Sequence, residues 1–325
     1  MFQVFQECHE WAKLMHIENV SDLNYIVSQG KIGDLIRMDE TLQSNRLLNV
    51  AREIEKQKED KKIILLAGPS SSGKTTTTMK LCMYLRSLGL NPKMISMDDY
   101  FVERIHTPKN AKGEPDYECF EAVDHQMLNE QVAALLAGKT VKAPVYNFIE
   151  GKKEFKKDLV LAKDDILLIE GIHALNPKVL VDIPSKNKYK IYLSALTELN
   201  LDNHNRFPTT DNRLLRRIVR DNRTRGYSVE ETLEIWPNVR RGEEQYIFPY
   251  QDEADVTINT ALIYELGVLK TYGEPLLYSV SEHSPYYEEA RRLLNMLRLI
   301  LPVASEAIPD DSIIREFIGG SCFHE

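Results

Sequence analysis

Residues 68–75 read Gly-Pro-Ser-Ser-Ser-Gly-Lys-Thr, the spacing GxxxxGKS/T in full, set between the apolar run Ile63–Ala67 and a stretch of helical character, Lys74–Leu88. No other feature restricts the fold as much. A strand has to run into a turn whose backbone amides converge, and that turn has to open a helix. Gly68 and Gly73 permit backbone angles and a close approach that a Cβ would forbid. The converging amides lie at a helix N-terminus, where the first donors lack partners and the dipole favours an anion. Lys74 is placed for the β- and γ-phosphates of a nucleoside triphosphate, and the Thr75 hydroxyl for Mg²⁺. The cradle comprises Gly68, Pro69, Ser70, Ser71, Ser72, Gly73, Lys74, Thr75 and Thr76, with ATP and Mg²⁺ as the implied cofactors. A GTPase would need an NKxD base reader, and the near miss Asn187-Lys188 lacks the Asp; the HRD and DFG signatures of protein kinases are missing too. Small-molecule kinases and ATPase machines remain.

Around this motif, short β-type runs alternate with helical stretches: Lys61–Ala67, Lys93–Met97, Asp165–Ile169, Tyr189–Ala195 and Asp255–Asn259. That alternation predicts an α/β fold of the P-loop NTPase type, a mostly parallel sheet with helices on both faces. Before it, Trp11, Leu14 and Met15, then Leu47, Leu48, Ala51 and Ile54, form helical stripes. After it, Ser284 and Pro285 suit the N-cap and first position of a helix over Tyr286–Leu301, and Asp311–Phe317 suggests another, stopped by Gly319 and Gly320. The expected division is a helical extension over 1–60, a kinase domain over 61–283 and a second helical extension over 284–325. With 41 Lys and Arg against 49 Asp and Glu the net charge is −8, which argues against nucleic acid as a general partner. The four cysteines, Cys8, Cys82, Cys119 and Cys322, have no CxxC spacing, and no apolar run reaches the ~20 residues of a membrane helix. A cytoplasmic protein with no membrane partner is expected, and assembly into a homo-oligomer stays open.

Two strand ends carry carboxylates at the sheet edge where open parallel sheets bind ligands. Asp98, in ISMDDYF, is placed to take the proton of an attacking hydroxyl, whereas Asp99 reads as an N-cap or loop residue. Glu170, ending DILLIE, suits a contact to Mg²⁺, with a strand-end salt bridge as the alternative. Further on, Arg213, Arg216, Arg217 and Arg220 recur at helical spacing opposite Leu214, Leu215, Ile218 and Val219, so one face should be core and the other basic. Such a row either forms an arginine lid over the transferring phosphoryl group or is a solvated face neutralised by Asp211, Asp221 and nearby glutamates.

These pieces, GPSSSGKT, SMDDYF, APVYNF, LLIEGIHAL and RLLRRIVRDNRTRG, resemble in order and spacing the uridine kinase and phosphoribulokinase family of P-loop kinases. The whole chain, REFIGG included, looks like the kinase half of longer bacterial proteins with a threonyl-tRNA-synthetase-like N-terminal half, and would be either a short version or a truncated one. The resemblance implies catalytic roles for Asp98, Lys74, Arg217 and Arg220. It implies acceptor contacts from Asp98, Glu118, Tyr146 and Arg217, phosphate contacts from Arg220 and Arg225, and a metal site of Thr75 and Glu170. Two departures stand out: DYECFEAVD leaves Glu118 to hold the ribose hydroxyls, and Gly151 falls where the family carries a base-reading histidine. His173 either lines the site or is a satisfied structural histidine. Ser228 and Glu231 suggest a capping box that places Trp236 on the next helix, in core or at a domain contact.

The expected activity is ATP-dependent phosphorylation of a small-molecule hydroxyl acceptor, a nucleoside 5′-hydroxyl in the first instance. The alternative is a nucleotide-binding regulatory or RNA-associated module without nucleoside kinase turnover.

Overall fold

The computed structural model describes residues 2–110, 113–197, 199–202 and 204–323. Three helices, α1 (Phe2–Met15), α2 (Val20–Ser28) and α3 (Ile32–Lys56), precede β1 (Ile63–Ala67). The chain returns through α4 (Lys74–Ser87) to β2 (Asn91–Ser96), and α5 (His125–Leu136) leads into a hairpin of β3 (Val141–Asn147) and β4 (Lys152–Leu159). Then come β5 (Asp165–Glu170), β6 (Lys188–Ser194), α6 (Thr209–Arg225), α7 (Val229–Tyr246) and β7 (Val256–Asn259). The chain closes with α8 (Glu265–Tyr278), α9 (Tyr287–Leu297) and the single turn α10 (Arg315–Ile318).

Five strands form one parallel sheet in the order β2-β5-β1-β6-β7. The middle strand β1 is apolar along its whole length because both faces are covered, and every residue of it is buried. On one face Ile64, Leu66 and Leu168 pack against Leu47 and Ile54 of α3 and Leu81 and Leu85 of α4. On the other, Leu65, Leu167 and Ile169 meet Leu128 and Val132 of α5 together with Phe101 and Tyr146. A third apolar cluster unites the two ends of the chain: Leu23 and Ile36 share it with Leu215, Ile218, Leu266, Leu294 and Phe317. The helices before β1 and after α8 therefore pack on α6, the helix that carries the arginines.

Three local expectations change. The β3–β4 hairpin went unforeseen because KKEFKKDL carries too much charge to read as a strand; among the described residues it pairs with β3 in a two-stranded antiparallel sheet. Helix α9 has Tyr286, not Ser284, as its N-cap, since the Ser284 carbonyl accepts from Tyr287 N–H and closes a turn ahead of the helix. The segment from Asp311 is irregular until α10, which Gly319 ends at φ +92°. The capping box forms as expected: Glu231 N–H donates to Ser228 Oγ at 3.1 Å, and Ser228 N–H to Glu231 Oε2 at 2.7 Å.

Candidate active site

The loop between β1 and α4 is held open by tight packing behind it. A Cβ on Gly68 would stand 2.6 Å from Ser72 Oγ and 2.9 Å from Leu193. Gly73, the N-cap of α4, has φ +79°, and a Cβ there would meet Ile313 at 2.6 Å. Three loop carbonyls are tied down from outside the loop: Arg213 donates to Ser70 O at 3.1 Å, Arg216 to Ser71 O at 3.2 Å, and Thr260 Oγ1 to Ser72 O at 2.6 Å. Lys74 Nζ folds back onto the carbonyls of Gly68 and Pro69 at 3.1 and 3.2 Å. Thr75 is half-buried at the mouth, and Ser71, Ser72 and Thr76 are buried.

Register does the rest. Ser96 pairs with Glu170 across β2 and β5, and Ser96 Oγ donates to Glu170 Oε1 at 2.6 Å. Asp98 follows on the short turn Met97–Tyr100, whose Asp98 N–H faces Ser96 Oγ at 3.4 Å. Burial, then the negative charge of Asp98, push Glu170 up to about 7, opposed by Lys74. Two carboxylates and a lysine thus converge at the carboxyl end of the sheet. Asp99 has turned the other way: its carboxylate accepts the Tyr146 N–H at 3.1 Å and anchors the hairpin.

The arginines of α6 divide into two sets, and the expectation of one open basic face is corrected. Arg213 and Arg216 are 2% and 0% exposed, Arg213 paired with Glu243 of α7 and Arg216 with Glu265 of α8. They are buried because α7, α8 and the phosphate loop, with Phe317 of α10, cover α6 on the side that periodicity assigned to solvent. Arg217, Arg220 and Arg225 gather instead around the fully buried Asp221, at 3.1, 2.7 and 3.7 Å. Three guanidinium groups against one carboxylate leave positive charge unmatched. Arg217 also donates to Ser70 Oγ in the phosphate loop at 2.8 Å.

Glu118 sets its Cβ against Gly242 of α7, and burial pushes it up to about 7; Arg217 opposes the shift while Glu243 and Asp98 add to it. Tyr146 is buried beside Phe101 and Phe148, with ring centroids 5.8 and 5.0 Å away. Gly151 occupies the hairpin turn at φ +70°, and a Cβ there would come within 2.7 Å of Arg104, whose guanidinium bonds the carbonyls of Phe148 and Ile149. His173 is buried between Phe120 and Tyr246, with burial lowering its pKa to about 4 and no well-formed hydrogen bond to either ring nitrogen. Trp236 packs in the helical core under Arg213, 5.5 Å from the ring centroid.

Two acidic residues at the cradle escaped sequence reasoning. Glu243 accepts the Ser70 N–H at 3.1 Å, and Glu316, from the far end of the chain, accepts the Thr76 N–H at 3.0 Å. Glu243 belongs to no quoted motif, and Glu316 lies in REFIGG without a role read from it; their long-range contacts mark them.

The cradle fits a nucleoside triphosphate, because its glycines pack where any Cβ would collide and its amides open a helix. The oxygen donors Thr75 and Glu170 suit Mg²⁺, which takes one or two carboxylates together with substrate phosphates. Among the described residues no set of three His, Cys, Asp or Glu forms an all-protein metal cage, and no helix is long and apolar enough to cross a membrane.

The sequence profile of the Phosphoribulokinase / Uridine kinase family matches residues 63–263. Uridine kinase of Staphylococcus epidermidis is 30% identical over 197 residues, 60% of this chain and 86% of the relative. That of Staphylococcus aureus is 30% identical over 199 residues with the same coverage. A solved structure described as a possible uridine kinase from Bacillus stearothermophilus has 18% identity and a TM-score of 0.44, covering 64% of this chain and 100% of that one. With the match spanning the phosphate loop, both strand-end carboxylates and the arginines of α6, the chain belongs to the Phosphoribulokinase / Uridine kinase family, as a kinase that phosphorylates a hydroxyl group.

Proposed function

We propose that the chain transfers the γ-phosphoryl group of ATP to the 5′-hydroxyl of a nucleoside. The observation that carries the acceptor class is the aromatic group Phe101, Tyr117, Tyr146 and Phe148, whose contacting rings have centroids 5.0–6.3 Å apart, with Glu118 following Tyr117 in the chain. Aromatic faces stack on a nucleobase and a carboxylate takes two ribose hydroxyls, a combination that a plain sugar acid has no use for.

In this reading the loop amides and Lys74 hold the donor phosphates. Mg²⁺, held by Thr75 and Glu170 together with phosphate oxygens, supplies neutralisation of developing charge when bound. Asp98 accepts the proton of the acceptor hydroxyl as its oxygen bonds to the γ-phosphorus and the bond to the β-bridging oxygen breaks, leaving ADP. Arg217, Arg220 and Arg225 bring their unmatched positive charge to the phosphates of donor and product. Residues 61–283 are the catalytic unit, and the helices of 1–60 and 284–325 brace α6.

The test is ATP consumption across a panel of nucleosides, sugars and sugar acids, with the product identified by mass. A nucleoside 5′-monophosphate is expected. Turnover confined to sugars or sugar acids would overturn the acceptor assignment and leave the phosphotransferase intact.

A further inference from the structure

The helix that opens at the cradle is capped in an unusual way. Gly73 is its N-cap and has no side chain to offer, so the Thr76 N–H, at the third helical position, has none of the usual partners. Glu316 supplies one from 240 residues away, its Oε2 accepting that N–H at 3.0 Å. This amide is one of the donors that the motif turns toward the phosphates of a bound nucleotide. A carboxylate on it is charged and shaped like one edge of a phosphate, and it sits at the positive end of the same dipole.

Placement of Glu316 is no accident of a loose tail. Arg223 of α6 donates to the carbonyls of Glu316 and Phe317 at 2.9 and 3.1 Å. Phe317 is fully buried, with Arg216 4.9 Å from its ring centroid. Ile313 packs on Gly73, and Asp311 pairs with the buried Lys80 of α4 at 2.9 Å. Beside Thr75 and Thr76 a cavity of about 300 Å³ opens, walled by Met79, Arg223 and Thr224 on one side and Gly320, Ser321 and Phe323 on the other. The tail therefore borders the space next to the cradle, its backbone anchored on α6.

We infer that Glu316 is a built-in stand-in for donor phosphate: it caps the cradle when no nucleotide is there and has to yield the Thr76 amide when a triphosphate binds. The inference rests on the donor-site reading above and adds a residue that sets donor affinity. Because the two acceptors exclude each other at one N–H, nucleotide affinity is lowered by whatever free energy the Glu316 contact contributes. The same contact should stabilise the ligand-free protein. The two effects have opposite signs, and a merely structural residue would stabilise the protein without lowering nucleotide affinity.

Calorimetric titration with AMP-PNP and Mg²⁺, without acceptor, on wild type, Glu316→Ala and Glu316→Gln tests this. Glu316→Ala should melt lower than wild type when ligand-free yet bind AMP-PNP about tenfold tighter, in line with losing a charge-assisted hydrogen bond to the competitor. Inorganic tripolyphosphate should show the same gain, since the competition is for phosphate. The isosteric Glu316→Gln keeps an acceptor oxygen without the charge and should gain about threefold, so it carries the test if the alanine variant does not fold. Unchanged or weaker binding in a folded variant would overturn the inference. Absence of AMP-PNP binding to wild type, or binding indifferent to Lys74→Ala, would overturn the donor-site reading as well.

Discussion

Ser96 Oγ donates to Glu170 Oε1 at 2.6 Å across register partners of β2 and β5. That single bond fixes the spacing between the strand that ends in Glu170 and the turn that carries Asp98, so two carboxylates of different predicted duty share one edge of the sheet. Burial first, then the negative charge of Asp98, lifts Glu170, while Lys74 and the Ser96 hydrogen bond oppose the shift.

If Asp98 takes the acceptor proton, Asp98→Asn keeps the shape of the site and removes the base. Turnover should fall by about 10² to 10⁴, with AMP-PNP affinity nearly unchanged. Steady-state kinetics alongside calorimetric binding separates the two quantities. Near-normal turnover would show that another group, or none, takes the proton.

The division of α6 into buried and site-facing arginines predicts two phenotypes from neighbouring positions. Arg216→Ala leaves Glu265 in the core without its ion partner and should cost about 3–5 kcal/mol in chemical unfolding, while Arg213→Ala leaves Glu243 with the partly exposed Arg240 and should cost less, about 2–3 kcal/mol. Arg220→Ala leaves Asp221 with Arg217 and Arg225, so it should lower turnover while barely moving the unfolding midpoint. Equal destabilisation at positions 213, 216 and 220 would make the whole row structural.

How far the sequence reached follows from how local each signal was. The five sheet strands were legible because runs such as IILLA and DILLIE are buried on both faces and have no competing periodicity. The hairpin was not, because β4 gets its order from β3 alone and spends its residues on lysine. In α6 the periodicity correctly marked Leu214, Leu215, Ile218 and Val219 as core, yet it could not tell that Arg213 and Arg216 are buried too. Their partners lie 30 and 49 residues downstream, on helices whose docking no local pattern encodes. Glu316 is the extreme case, acting on an amide 240 residues earlier. Motif residues were found because their chemistry needs neighbours in sequence, whereas residues that work through tertiary contacts leave no spacing to read.

Glu118 provides a pH signature. Burial holds its pKa near 7, above the ~4.3 of an unfolded glutamate, so the folded protein binds the proton more tightly than the unfolded chain does. The stability this contributes is complete below about pH 4.3 and is lost as pH rises through about 7. Melting temperature of the ligand-free protein should therefore decline over that window more in wild type than in Glu118→Gln. If the ionised form is what accepts the acceptor's hydroxyls, KM for the acceptor should also fall as pH rises through 7, and Glu118→Gln should erase that slope. Parallel melting curves for the two proteins would mean that Glu118 ionises like an exposed carboxylate.

The last prediction concerns Gly151, where relatives by resemblance would carry a base-reading histidine. At φ +70°, with Arg104 2.7 Å from where a Cβ would stand, the turn leaves no room for that side chain in its present form. Gly151→His should cost about 1–3 kcal/mol, partly from the left-handed backbone and partly from displacing a guanidinium that bonds two turn carbonyls. It should leave the ratio of kcat/KM values for uridine and other nucleosides within about twofold of wild type, because a histidine forced off the turn has no defined direction. Adding Arg104→Ala should recover part of the lost stability by clearing the space, a coupling that a double-mutant cycle measures. A single Gly151→His variant that is as stable as wild type and prefers uridine about tenfold more strongly would mean that the hairpin adapts and that Arg104 does not govern the acceptor pocket.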